Sequence, residues 1–189
     1  MILLLAVILP VLAALAIVIG GRKAPPARGR NWLLAGAVCH LLLCLMTLRL
    51  GKSWTILTIH DQEWLALDRF SSTILLLTSA LFLWVAIHCR YWLKAEKQLL
   101  EINQAEPGAS AHGRLLPEWI FLPCLLAFLA AMTLAICASN LGLMWVAIEA
   151  TTLVSAPLIC FHRSAAALEA MWKYLLICSV GIGLALLGT

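Results

Sequence analysis

Long unbroken apolar runs, parted by short polar breaks, set the pattern of this chain. Six runs stand out, at about 2–20, 32–50, 71–93, 118–138, 141–161 and 168–188. Each is close to the ~20 residues that cross a bilayer's hydrocarbon core as a helix. Lipid cannot satisfy free backbone groups, so the runs must be helices or barrel strands. The ten-residue alternation of barrel strands is absent and the runs are too long for it. The pattern therefore predicts an all-α, polytopic bundle of about six transmembrane helices.

The polar breaks divide the chain further. Residues 1–50 read as a transmembrane hairpin, 51–70 as an external loop, 71–93 as a third transmembrane helix and 94–117 as a cytoplasmic loop. Residues 118–189 then read as one closely connected helix bundle, since the turns at Ser139-Asn140 and Phe161–Ala167 are short and place neighbours antiparallel. Within 51–70, Trp54-Thr-Ile-Leu-Thr-Ile59 is rich in β-branched residues and predicts a strand, with tryptophans suited to the interface. Lys94–Gln104 continues the third helix, and Ala105–Gly113 reads as flexible.

Charge orients the array. Arg22, Lys23, Arg28 and Arg30 follow the first run, with no basic residue before it, so the run is no cleaved signal peptide. Basic loops stay in the cytoplasm. That places the N-terminus and residues 51–70 outside and residues 94–117, with Arg90, Lys94, Lys97 and Arg114, inside. His162-Arg163 is then inside and Thr189 outside; Arg49, Lys52 and Arg69 go against the bias.

Composition agrees: of 189 residues, 63% are hydrophobic and 12% charged, and the mean hydropathy is +1.00, outside the range of soluble domains. The net charge of +4 is spread over several loops and gives no nucleic-acid surface. The seven cysteines lie in or beside apolar runs without a C-x-x-C pair, and read as small hydrophobic residues. No Walker loop, nucleophile elbow, zinc helix or dinucleotide fingerprint is present, so the sequence offers no catalytic, metal or cofactor site of its own.

The candidate chemistry lies in ionisable residues inside the spans, which default to function because they are costly there. Glu149 is mid-span. It is either a protonatable relay carboxylate or a hydrogen-bonded packing residue near Thr151, Thr152 or Ser155. Lys173 lies in the next span; it is a second path residue, a helical partner of Glu169 four residues earlier, or a side chain that snorkels outward. Pro157 frees a backbone carbonyl in the Glu149 helix, either at a kink or water cavity or as a tolerated membrane proline. His88 and His162 lie near cytoplasmic ends and are candidate proton feeders. His40 is alone mid-span and reads as a satisfied packing histidine. Gly181, Gly183 and Gly188 predict close helix approach.

Trp145-Val-Ala-Ile-Glu-Ala-Thr-Thr152 and Leu168-Glu-Ala-Met-Trp-Lys-Tyr174 resemble the antiporter-like, proton-translocating membrane subunits of complex I and of hydrogenase-4 (formate hydrogenlyase) complexes, the hydrogenase-4 component F type most of all. Leu67-Asp-Arg-Phe-Ser71 is similar to that family's entry to its third helix. The resemblance is strong over 139–189 and looser before. It implies that Glu149 and Lys173 belong to a proton path and that 118–189 opens a proton-channel bundle. It also implies that the partners are protons, lipid and other membrane subunits of a redox complex in a bacterial inner membrane, with the redox centres elsewhere. Such subunits run to about fourteen helices with inverted repeats, so the expectation is an N-terminal portion, split subunit or truncation. Two other readings stay open: a non-conducting scaffold in which Glu149 and Lys173 form a buried ion pair, and a small independent ion transporter.

Overall fold

The computed structural model describes residues 2–20, 26–50, 54–59, 62–105 and 115–189. It contains six helices and one hairpin: α1 (Ile2–Gly20), α2 (Pro26–Leu50), β1 (Trp54–Ile59), β2 (Gln62–Leu67), α3 (Arg69–Ala105), α4 (Glu118–Cys137), α5 (Leu141–Ile159) and α6 (Ala165–Leu187). Helices α2 to α6 are each long and apolar enough to cross a membrane, and α1 is a shorter apolar helix. The array is that of a multi-pass membrane protein.

Local sequence sets the helix ends. Pro26 opens α2, at a position where a missing N–H costs nothing. Asn140 caps α5 by accepting the Gly142 N–H, and Ser164 caps α6 by accepting that of Ala167. Pro10, Pro123 and Pro157 lie inside helices, as membrane spans tolerate. The 37 residues of α3 reach about 55 Å at ~1.5 Å per residue. That exceeds a ~30 Å hydrocarbon core, so Lys94–Ala105 carries the third helix beyond the span, as its sequence predicts.

β1 forms where its composition predicts, pairing antiparallel with β2 from Trp54↔Leu67 to Ile59↔Gln62 with an irregular register between. β2 has no comparable sign in its residues, because Gln62-Glu-Trp-Leu-Ala-Leu67 lacks β-branched side chains. The hairpin is tied to the end of α4 by Ser139 N–H donating to the Trp64 carbonyl at 3.0 Å. The expected flexible stretch up to Gly113 lies, apart from Ala105, outside the described residues, as do Arg22, Lys23, Lys52 and Arg114.

α4 is the centre of the packing and touches α1, α2, α3, α5 and β2. Its buried Leu122, Leu126 and Leu129 meet Ala13 and Ile17 of α1, Leu33 and Ala37 of α2, and Phe82, Ala86 and Leu93 of α3. Two glycines of α2 make this possible. A Cβ on Gly36 would lie 3.2 Å from Leu126 Cδ2, and one on Gly29 3.0 Å from Leu122 Cδ1. The expected close approach at Gly181 and Gly183 has no counterpart among the described residues, where both face open space. α6 packs on α5 but has no buried residue.

Candidate functional site

Helices α5 and α6 carry the intramembrane charges. The two run antiparallel and are joined by two polar bridges. Ser179 Oγ donates to Glu149 Oε1 at 2.6 Å, and Ser155 Oγ meets Tyr174 Oη at 3.0 Å. Glu149 sits halfway along α5. Its second oxygen, Oε2, is buried with no partner among the described residues, as is the neighbouring Trp145 Nε1. An orphaned carboxylate oxygen is costly in an apolar setting.

The hydroxyls that follow Glu149 do not serve its carboxylate. Thr151, Thr152 and Ser155 each donate to the carbonyl three residues back, at 2.7–2.9 Å, Thr152 to that of Glu149 itself. Such bonds bend a helix. Pro157, two residues on, lines an opening of about 450 Å³ with Leu116, Cys160, Arg163 and Leu168.

Lys173 does not bond to Glu149. Its Nζ lies 2.5 Å from Glu169 Oε1, the i,i+4 pair expected from spacing, and both side chains are about two-thirds exposed. His162 lies in the α5–α6 turn, 3.5 Å from Glu96 of α3, and stacks edge-on against Phe161. It is thirteen residues beyond Glu149, roughly 20 Å along a helix. His88 is exposed on α3 and is not brought to Glu149. The structure thus brings together α5 and α6 around Glu149 and leaves both histidines at a distance.

A second ionic cluster has no signal in the sequence. Glu118, at the start of α4, is 7% exposed and is held by Arg30 of α2, whose Nη1 lies 3.0 and 3.2 Å from its two oxygens. Lys97 of α3 adds a contact of 2.6 Å. The Leu116 N–H donates to the Phe161 carbonyl at 2.7 Å beside it, so three helix ends and the α5–α6 turn are fastened at one level. Among the described residues no group of three His, Cys, Asp or Glu side chains is placed to hold a metal. All seven cysteines are free.

The fold is similar to that of chains in solved respiratory complexes. Over 98% of its length the chain superposes on 36% of a chain in the structure of the membrane-bound sulfane sulfur reductase (MBS), an archaeal respiratory membrane complex, with a TM-score of 0.74 and 15% identity. Over 97% it superposes on 35% of a chain of respiratory complex I from Thermus thermophilus with bound aureothin, with a TM-score of 0.69 and 22% identity. In sequence it is 49% identical over 63 residues to a hydrogenase-4 component F homolog of Methylacidiphilum infernorum (isolate V4). That match takes in 33% of this chain and 13% of the relative. Over part of its length the chain is thus similar in sequence to a hydrogenase-4 component F homolog, and its fold is similar to that of chains in respiratory complexes. It spans about a third of the solved chains it matches. No family model matches it.

Proposed function

We propose that the chain is part of a membrane subunit of a complex I-like or hydrogenase-4-like oxidoreductase and contributes to proton translocation coupled to electron transfer, in a bacterial inner membrane with the N-terminus outside. The observation that carries this is Glu149. It is a mid-span carboxylate with one oxygen bonded to Ser179 and the other buried without a partner among the described residues. A carboxylate with a spare acceptor site takes up a proton without first breaking its existing bond. Lys173, on the facing helix, is a second intramembrane charge, paired with Glu169.

Further protein belongs over α6. Glu169 and Lys173 are open on a helix with no buried residue, and charges within a span face protein or water-filled cavities. The length of the related chains supports the same reading. Electron-carrying groups belong to other subunits. A scaffold role rests on a Glu149–Lys173 ion pair, and Lys173 bonds Glu169 instead.

The test is Glu149→Gln in the complete membrane complex, with assembly followed on native gels and proton uptake followed in inverted vesicles. The expected result is normal assembly and continued electron transfer with reduced uptake. Normal uptake at normal assembly would reject the relay. Lost assembly restored by adding Lys173→Met would instead identify a structural ion pair.

A further inference from the structure

Helices α2, α3 and α4 enclose a titratable side chain that the proposed path does not use. His40, on α2, has no exposed surface. Its Nδ1 lies 2.5 Å from Ser79 Oγ of α3, and its Nε2 lies 3.0 Å from Thr133 Oγ1 of α4. Cys44, one turn along α2, has its Sγ 3.6 Å from both His40 Nδ1 and Ser79 Oγ.

The number of protons available fixes the direction of each bond. A threonine hydroxyl has one proton, and that of Thr133 goes to the Leu129 carbonyl at 2.8 Å. Toward His40, Thr133 is therefore an acceptor, and Nε2 carries the hydrogen. No acidic side chain among the described residues bonds to the ring, and an unpaired cation in a dry interior is strongly disfavoured. The ring is neutral and Nδ1 is bare. Nδ1 then accepts the Ser79 hydroxyl proton, and the Ser79 oxygen is left to accept from the Cys44 thiol.

We infer that His40 is a fixed Nε2–H tautomer at the centre of a one-way hydrogen-bond chain running from Cys44 through Ser79, His40 and Thr133 to the Leu129 carbonyl, and that it acts as a positioning residue fastening α2, α3 and α4, outside any proton path. The chain ends on a backbone carbonyl, which has no further donor to pass a proton to. Because α4 also packs on α5, the clasp sets the surface on which the Glu149 helix lies.

The decisive measurement is nitrogen-15 NMR of the full chain labelled at histidine, with the His40→Gln spectrum identifying the His40 signals among five histidines. The expected spectrum shows a proton on Nε2 and none on Nδ1, unchanged across the pH range in which ordinary histidines titrate. An Nδ1–H tautomer, or a ring that gains a second proton in that range, overturns the assignment. Thr133→Val removes the acceptor, so the proton should move to Nδ1 and be donated to Ser79; an unchanged tautomer there refutes the ordering. Glutamine offers one donor and one acceptor in place of the ring, so His40→Gln should unfold at a higher temperature than His40→Leu. If the two variants unfold alike, the clasp is wrong.

Discussion

Neutralising Glu118 provides the most direct energetic test of the structure. The side chains of Glu118 and Arg30 are 7% and 11% exposed, and the guanidinium contacts both carboxylate oxygens. Glu118→Gln leaves Arg30 buried without its counter-charge, at a cost of about 3–5 kcal/mol. Lys97 is 45% exposed, so water solvates it when its partner is lost, and Lys97→Met should cost no more than about 1 kcal/mol. Arg30→Met with Glu118→Leu removes both buried charges and fills their volume, and should recover most of the loss. At roughly 2–4 °C per kcal/mol for a chain of this size, Glu118→Gln lowers the unfolding midpoint by on the order of 10 °C, and Lys97→Met by a few degrees at most. The assay is thermal unfolding of the chain in detergent micelles, followed by size-exclusion recovery. Equal losses for Glu118→Gln and Lys97→Met would refute the claim that burial decides the difference. A double variant as unstable as the sum of its single changes would refute the pairing itself.

Gly36→Val presses its side chain on Leu126 and should cost about 1–3 kcal/mol, whereas Gly181→Val meets open space and should stay within about 0.5 kcal/mol of wild type in the isolated chain; a reversed order in thermal unfolding contradicts the α2–α4 approach. In a background with the native cysteines replaced, a cysteine at Arg28 should resist an impermeant external label and one at Ser139 should take it, and the opposite result reverses the orientation. Solubilised from its native membrane under mild conditions, the chain should migrate with other membrane subunits. Migration alone at native abundance counts against assembly in a complex.

The spans were legible because membrane insertion is set by the length of an apolar run, a local property. The Glu169–Lys173 pair was legible for the same reason, since helical pitch brings residues four apart together. Glu149 was visible as a charge out of place, but its partner was not: Ser179 is an ordinary residue thirty positions away. The Arg30–Glu118 pair is separated by 88 residues, and each residue alone looks like the charged edge of a span. Sequence shows small residues and not which helix approaches them: Gly29 and Gly36 meet α4 side chains, while Gly181 and Gly183, equally small, face open space. A lone mid-span histidine reads as satisfied, as His40 is, yet its hydroxyl partners come from two other helices.

The meeting of α1 with α4 has a consequence for biogenesis. The central core draws on Ala13 and Ile17 near one end and on Leu122 to Leu129 more than a hundred positions later. Helices leave the translocon in chain order, so α1 enters the bilayer long before the surface it will pack against has been made. Its first neighbour is α2, on which it packs directly, and the surface it presents to α4 is covered once α4 is released. A pause in translation before Glu118 therefore leaves the α1–α2 and α2–α3 contacts formed without the core they share with α4, and completion of α4 is the step that supplies it.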